Sequence, residues 1–166
     1  MQRTDPMIHA LVLCKGNICR SPILEGLLQN RADASRGPLR FCFDSAGTSS
    51  FHSGEPPDLR SIEVAERFDI SISHQRSRPL SIADLERFDF IVAMDRSNRR
   101  FVTELGPFPD DRLLLARHFD PDSLEQDVPD PWYGGPGGFV EVFHMLDRAT
   151  LPLLKHFTEK GPRTRP

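Results

Sequence analysis

Short apolar runs alternate with amphipathic segments along the chain, and this alternation limits the folds that the sequence can adopt. The runs predicted to be strands are Met7–Leu13, Leu39–Phe43, Phe88–Met94 and Arg112–Arg117. Apolar residues at helical spacing predict helices over Pro22–Arg31, Pro57–Phe68, Ser81–Arg87, Ser97–Leu105 and Phe139–Phe157. Strands that alternate with helices pair in parallel through right-handed crossovers. We therefore expect an α/β fold, with a four-stranded parallel sheet and helices on both faces.

The length of 166 residues is that of one ordinary domain. We expect a single domain over residues 1–166 with its core at about residues 7–157. Pro152 should kink or divide the last helix because proline lacks an N–H group. Asp44–Thr48 is predicted to be a turn. The polar tail Thr158–Pro166 is expected to be loose.

Charge and cysteine content exclude several classes of function. A formal net charge of −3 gives no general attraction to nucleic acid or to anionic membranes. The apolar stretch Ile8–Leu13 is too short to span a bilayer or to act as a secretory signal. Three clustered cysteines do not form a disulfide framework, and no histidine stands beside them at metal-ligand spacing. We expect a cytoplasmic protein with reduced thiols and without a metal or other cofactor.

The chemistry of the chain is expected in the loop after the first strand. This loop reads Cys14-Lys15-Gly16-Asn17-Ile18-Cys19-Arg20-Ser21-Pro22, with five residues between Cys14 and Arg20. Parallel sheets bind ligands beyond the carboxyl ends of their strands. A curled loop that precedes a helix can direct backbone N–H groups at an anion, and Arg20 can bind two phosphate oxygens. The segment predicts a phosphate-binding loop.

A cysteine at the mouth of such a loop is a candidate nucleophile. Amide dipoles, the helix terminus and Arg20 would all favour the thiolate form of Cys14. The thiolate can attack phosphorus and form a phosphocysteine intermediate without a metal ion. The alternative is that Cys14 is a buried small apolar residue, but its coincidence with Arg20, Gly16 and Asn17 favours catalysis.

Release of the leaving oxygen from phosphorus also needs an acid, and Asp130 is the candidate. It begins the segment Asp130-Pro131-Trp132-Tyr133, which holds the only tryptophan and the only tyrosine of the chain. Trp132 and Tyr133 could form a wall that stacks on a phenyl ring. Asp127 is a rival acid without aromatic neighbours, and a simple surface turn at Asp130 is the other interpretation.

These segments resemble the low-molecular-weight protein tyrosine phosphatases from about Ile8 to Phe157. The family pattern C-x-G-N-x-C-R-S-P matches Cys14–Pro22, and D-P-[WY]-[YF] matches Asp130–Tyr133. The segments D-S-A-G-T and F-D-x-I-x-x-M-D-x-S-N match residues 44–48 and 88–98. Four segments in the right order make the resemblance specific.

The resemblance implies a role for each residue of the site. Cys14 is the nucleophile, Arg20 the phosphate clamp, and Asp130 the acid that later activates water. The remaining substrate- or phosphate-binding residues are Lys15, Gly16, Asn17, Ile18, Cys19, Ser21, Trp132 and Tyr133. The loop would be supported by Asn17, Ser21, Ser45 and His74. The family pattern H-x-[AS]-R has one extra residue here, in His74-Gln75-Arg76-Ser77-Arg78, so His74 could instead be a surface histidine.

Further implications concern regulation and partners. Cys19 resembles the second loop cysteine that forms a reversible disulfide with the nucleophile, a role that competes with simple packing. Lys15 is either a solvated charge or an attractor of acidic residues beside the phosphotyrosine. The expected partner is a phosphotyrosine-containing protein, and the expected state is a monomer or weak dimer.

Three rival functions stay open at this point. Related arsenate reductases need a downstream cysteine pair, and this chain has no cysteine after Cys42. Related phosphoarginine phosphatases carry Thr where this chain has Ile18, so Ile18 favours an aromatic substrate. A phosphate-binding module without catalytic activity would need neither Cys14 nor Asp130.

Overall fold

A parallel sheet lies at the centre of the fold. A computed structural model describes residues 6–135 and 137–165 of the chain. Its strands are β1 (Met7–Cys14), β2 (Arg40–Gly47), β3 (Phe90–Ala93) and β4 (Leu113–Leu115). They pair in parallel in the order β2-β1-β3-β4. The predicted four-stranded parallel sheet is confirmed.

Helices cover both faces of this sheet. They are α1 (Arg20–Ala34), α2 (Leu59–Arg67), α3 (Ile82–Arg87), α4 (Arg96–Leu105) and α5 (Gly137–Lys160). Alternate residues of β1 point to opposite faces because a strand has a period of two. Ile8 and Val12 pack in one core with residues of α1, α2 and α5, whereas Leu11 and Leu13 pack with residues of α3 and α4. Both cores exclude water, and β1 at the centre is buried between them.

Strand β2 is longer than the sequence predicts. Asp44–Gly47 was expected to be a turn, but Ser45 pairs with Val12 and Gly47 pairs with Cys14. The turn prediction is wrong because pairing with β1 overrides the local preference of these residues. This extension brings Ser45 to the end of β1, where the cysteine loop begins. Gly47 is needed there because a Cβ atom would lie 2.8 Å from the Lys15 carbonyl oxygen.

The last helix and the tail also differ from expectation. Helix α5 continues through Pro152 to Lys160, so Pro152 does not divide it. The tail beyond it is not loose: the Arg163 N–H donates to Asp89 at 2.8 Å, and Arg165 Nε donates to the Glu86 carbonyl at 3.0 Å. Asp89 is fully buried, which makes its hydrogen bonds strong anchors for the tail. Pro166 lies outside the described residues.

The other predicted elements are present with shifted ends. Helix α1 begins at Arg20, two residues before the predicted Pro22, and α3 begins at Ile82, one residue after the predicted Ser81, which is its N-cap. Strand β4 is shorter than predicted because 3₁₀ turns (Asp110–Arg112 and Ala116–Phe119) occupy its flanks. None of the helices in residues 6–135 and 137–165 has the length and apolarity needed to cross a bilayer.

Candidate active site

The loop from Cys14 to Arg20 joins the carboxyl end of β1 to the first residue of α1. Residues outside the loop donate hydrogen bonds to four of its backbone carbonyls. Two donors are backbone N–H groups: Ser49 donates to Lys15 at 2.9 Å, and Asp58 donates to Ile18 at 2.8 Å. Two are hydroxyl groups: Ser77 donates to Gly16 at 3.0 Å, and Ser61 donates to Cys19 at 3.1 Å. In a trans peptide the N–H points away from the C=O. The amides that follow these carbonyls therefore face the inside of the loop, where they can bind an anion.

The Cys14 sulfur lies inside this ring and accepts hydrogen bonds. The Asn17 N–H donates to Cys14 Sγ at 3.2 Å, and Ser21 Oγ lies 3.0 Å from the same sulfur. Asn17 has φ of 56°, in the left-handed region, and this conformation turns its N–H back toward Cys14. These two contacts fix the position of the sulfur.

Three residues from other elements hold the loop through the Asn17 side chain. Its Nδ2 lies 2.9 Å from Ser21 Oγ and 2.9 Å from Ser45 Oγ. Its Oδ1 accepts from the Arg78 backbone N–H at 3.0 Å. Asn17 is buried, so these bonds satisfy an amide that water cannot reach. The structure brings Asn17, Ser21 and Ser45 together behind the cysteine loop.

The structure does not bring His74 to this loop, and the prediction for that residue is wrong. His74 is exposed and lies beside Glu25 and Gln29 in a separate surface cavity. In the pattern H-x-[AS]-R the arginine is Arg78, because Arg78 is the residue that contacts Asn17 and Asp44. Counting back three residues gives Gln75, which is buried and donates to the Pro22 carbonyl at 3.0 Å. Gln75 therefore occupies the position that the sequence analysis gave to His74.

Arg20 is fixed at the edge of the loop by contacts from two other segments. Its Nη1 donates to Asp95 Oδ2 at 2.8 Å and to the Val128 carbonyl at 2.9 Å. Burial is the largest single influence on the pKa of Arg20 and lowers it, but Cys14 and the Asp95 hydrogen bond raise it above its ordinary value. The guanidinium is therefore a permanent, preorganised positive charge. Asp95 was not named as a site residue from sequence, although it lies in the matched M-D-x-S-N segment.

Asp130 lies across the cavity from the cysteine loop. Its Oδ2 lies 3.7 Å from Arg20 Nη2, and its Oδ1 accepts from the Trp132 N–H at 3.0 Å. The rival acid, Asp127, is engaged elsewhere, since it accepts from Arg96 Nη2 at 3.1 Å. That hydrogen bond lowers the pKa of Asp127, which makes it a poor proton donor.

A cavity of about 380 Å³ opens above Cys14. Of the predicted site residues, the cavity is lined by Cys14, Lys15, Gly16, Ile18, Cys19, Arg20, Asp130, Trp132 and Tyr133. Asn17, Ser21 and Ser45 lie behind it. Ser49, Phe51 and His52 also line the cavity and were missed, because the stretch that follows β2 carries no motif.

The aromatic wall of the cavity is built from two segments. The His52 ring centroid lies 5.7 Å from the Trp132 ring and 4.9 Å from the Phe51 ring. His52 Nδ1 lies 2.7 Å from Glu55 Oε2, which fixes the imidazole ring. Arg60 also lies over the Trp132 ring, with Cζ 5.4 Å from the ring centroid. The wall is therefore preorganised for a flat, apolar group.

Cys19 lies near Cys14 as a neutral thiol. Burial, with the nearby charges of Asp58 and Cys14, raises the pKa of Cys19 to about 12. All three cysteines, at positions 14, 19 and 42, are free thiols. Cys19 is thus a poor nucleophile near neutral pH.

Comparisons with known proteins agree with this arrangement. The family described as "Low molecular weight phosphotyrosine protein phosphatase" matches residues 9–163. A protein of that name from Schizosaccharomyces pombe is 36% identical over 141 residues, which are 84% of this chain and 90% of the relative. The crystal structure of YfkJ from Bacillus subtilis superposes with a TM-score of 0.83 at 32% identity, over 95% of this chain and 98% of that one.

A second similar structure extends the range of activities among the neighbours. It is the chain titled "DARP, drosophila arginine phosphatase", with a TM-score of 0.78 at 26% identity, over 89% of this chain and 96% of that one. The family match covers most of the chain, and its ends enclose both the cysteine loop and Asp130. The chain belongs to the low molecular weight phosphotyrosine protein phosphatase family.

Proposed function

We propose that this protein hydrolyses phosphotyrosine in proteins through a phosphocysteine intermediate on Cys14. The observation that carries the proposal is that the Cys14 sulfur, the Arg20 guanidinium and the Asp130 carboxylate border one cavity. The relatives named as phosphotyrosine protein phosphatases support the same activity.

In the first step the Cys14 thiolate attacks phosphorus. The S–P bond forms while the bond from phosphorus to the tyrosine oxygen breaks, and Asp130 gives its proton to that oxygen. The inward-facing amides of the loop and Arg20 stabilise the charge on the other phosphate oxygens. Preorganised donors at a buried site supply this stabilisation without a cost of reorganisation during the reaction.

In the second step water releases the phosphate. The Asp130 carboxylate takes a proton from water, the water oxygen attacks phosphorus, and the S–P bond breaks to return the thiolate. Ser21, at 3.0 Å from Cys14 Sγ, can donate a hydrogen bond to that departing sulfur. The products are inorganic phosphate and the enzyme in its starting form.

The choice between phosphotyrosine and phosphoarginine depends on the cavity wall. Ile18 supplies an apolar surface beside Cys14, and Trp132 and Phe51 supply aromatic surfaces. These groups favour a phenyl ring over a guanidinium, which would lose hydrogen bonds to water there. The fold does not separate the two activities, since a neighbour of the same fold is titled an arginine phosphatase.

A turnover assay on two matched peptides tests the proposal. One peptide carries phosphotyrosine and the other phosphoarginine in the same flanking sequence, and both are offered to the wild type and to Cys14→Ser. We expect a burst followed by steady turnover on phosphotyrosine only, and no turnover by Cys14→Ser. Preferred turnover of phosphoarginine would overturn the substrate assignment, and an active Cys14→Ser would overturn the mechanism.

We also propose a reducing compartment, such as the cytoplasm, as the place of action. A nucleophilic thiolate at Cys14 is lost on oxidation, and free thiols persist where glutathione and thioredoxin keep them reduced. A mild oxidant should therefore inactivate the protein, and a dithiol should restore activity by reducing the oxidised Cys14 back to the thiol.

A further inference from the structure

The segment that carries Asp130 is held in the site with few polar contacts. In the part of the chain that the structure describes, the hydrogen bonds of residues 130–133 stay within residues 130–134. The Asp130 carboxylate lies 3.7 Å from Arg20 Nη2, which is beyond hydrogen-bond distance, whereas its Oδ1 accepts from the Trp132 N–H at 3.0 Å. The position of the acid therefore follows the position of Trp132.

Arg60, in the first turn of α2, lies over two aromatic rings at once. Its Cζ is 5.4 Å from the Trp132 ring centroid and 4.4 Å from the Phe139 ring centroid. A guanidinium is attracted to the face of an aromatic ring and stacks on it. Phe139 is fully buried near the start of α5, so it gives the guanidinium a fixed support. Arg60 thus joins the partly exposed Trp132 to the core.

Asp58 fixes this guanidinium and connects it to the cysteine loop. Its Oδ1 accepts from Arg60 Nε at 3.0 Å, and its Oδ2 accepts from Arg60 Nη2 at 2.9 Å. Two parallel bonds of this kind set the plane of a guanidinium. On its other side, the Asp58 N–H donates to the Ile18 carbonyl at 2.8 Å. Contacts therefore run without a gap from the cysteine loop through Asp58 and Arg60 to Trp132.

Arg60 supports the wall of the cavity from behind. It is not among the described residues that line the cavity, whereas Trp132 and His52 are. His52 borders the same indole ring within the wall, with the two rings tilted by 51°. A substitution of Arg60 therefore removes a support of the wall and leaves the side chains that face the substrate unchanged.

We propose that Arg60 is a positioning residue for the acid, which it serves by stacking on Trp132 and so holding Asp130 at the cavity. This role rests on the proposed function, in which Asp130 gives a proton to the leaving oxygen. The bond from Asp58 to the cysteine loop uses a backbone N–H, so it does not depend on the side chain of Arg60. Loss of that side chain should impair proton transfer and spare the loop.

Two phosphate esters separate a misplaced acid from a general loss of activity. The variant is Arg60→Met, whose long side chain lacks the guanidinium, and the measurement is kcat/KM. We expect a loss of about fivefold on phenyl phosphate and of less than about twofold on p-nitrophenyl phosphate, because the more basic leaving oxygen depends more on the acid. Arg67→Met, at the exposed end of α2, is the matched control and should resemble wild type on both esters.

Two further measurements distinguish positioning of the acid from packing alone. In an Asp130→Asn background, Arg60→Met should cause less than about a twofold further loss on phenyl phosphate, because the acid that Arg60 positions is already gone. Trp132 is the only tryptophan of the chain, so its fluorescence reports directly on this segment. Its anisotropy should fall and its quenching by acrylamide should rise in Arg60→Met, and neither should change in Arg67→Met.

The proposal is overturned if Arg60→Met matches wild type on both esters, if it loses equally on both, or if its loss persists in full in the Asp130→Asn background. Unchanged fluorescence of Trp132 would overturn it as well. Arg60→Gln, with the same expected results, replaces the Met variant if circular dichroism shows that the latter does not fold.

Acid-quench trapping of the phosphoenzyme separates this role from the proposed function. A wild-type protein that never forms a phosphoenzyme on Cys14 contradicts the proposed function. A wild type that forms it, together with an Arg60→Met variant that behaves as wild type, contradicts the role of Arg60 alone.

Discussion

The guanidinium of Arg20 lies 3.7 Å from the carboxylate of Asp130, so the proposed phosphate clamp and the proposed acid are in electrostatic contact. Arg20 also binds Asp95 at 2.8 Å on the other side. The hydrogen-bonded carboxylate of Asp95 compensates the charge of this buried cation before any phosphate arrives, which makes burial of the cation tolerable. The arrangement ties the position of Asp130 to that of Arg20.

Asp130→Asn should slow the release of poor leaving groups far more than that of good ones. The variant cannot give a proton to the leaving oxygen, and the resulting loss in rate grows with the basicity of that oxygen. We expect kcat to fall about 10²–10³-fold with phenyl phosphate and much less with p-nitrophenyl phosphate. Asp127→Asn is the matched control and should change neither substrate by more than about threefold. Equal losses on both esters would count against Asp130 as the acid.

Arg20→Lys should lower kcat/KM by about 10²–10³-fold although it keeps the charge. An ammonium group cannot replace the planar fork, and the carbonyl of Val128 or the carboxylate of Asp95 would lose its donor. The control is Arg96→Lys, which changes an exposed arginine that pairs with Asp127. Steady-state kinetics and the affinity for inorganic phosphate are the measurements, and near-wild-type values for both would contradict the clamp.

Glu25→Gln should stabilise the fold more at pH 8 than at pH 5. The pKa of Glu25 is raised from 4.5 to about 7 in the folded protein, chiefly by burial, so the folded state binds the proton more tightly. The free energy of unfolding of the wild type therefore falls as pH rises through this window, and glutamine removes that loss. At about 1.36 kcal/mol per pH unit, the gain is at most about 3 kcal/mol.

Urea unfolding at both pH values measures this difference. The exposed Glu63→Gln on α2 is the surface control. A stability difference between wild type and Glu25→Gln that is the same at pH 5 and pH 8 would show that Glu25 does not titrate in this range.

Lys15→Leu should raise KM for phosphotyrosine peptides with acidic flanking residues at low salt. Lys15 is exposed at the rim of the cavity beside Cys14, where it can attract a carboxylate of the substrate. The effect should be a few-fold and should vanish at high salt, because exposed charges are screened there. Lys155→Leu, on α5, is the control. An unchanged KM at low salt would show that Lys15 is a solvated charge only.

The sequence predicts the centre of the site because its signals are local. One strand, the cysteine loop and one helix follow each other within residues 7–34, and their spacing alone indicates the phosphate cradle. The extension of β2 was missed because it depends on pairing between Gly47 and Cys14, which are remote in sequence. Local preference for a turn gives way to such pairing.

Other features that the sequence does not predict also depend on long-range contacts. His74 and Gln75 are adjacent, and only the contact between Arg78 and Asn17 shows which of them matches the family pattern. The polar composition of the tail indicates mobility, yet buried Asp89 anchors Arg163 across 74 positions of sequence. Phe51 and His52 reach the cavity through a loop whose course no motif predicts.

Acid-quench trapping of a radiolabelled phosphoenzyme is the most direct test of the central claim that Cys14 carries the phosphoryl group. After rapid mixing with labelled phosphotyrosine peptide, label should appear on Cys14 within the burst phase and decay at the turnover rate. Cys14→Ser should trap no label yet still bind phosphate through the loop amides and Arg20. Steady turnover by the wild type without label on Cys14 would contradict the account.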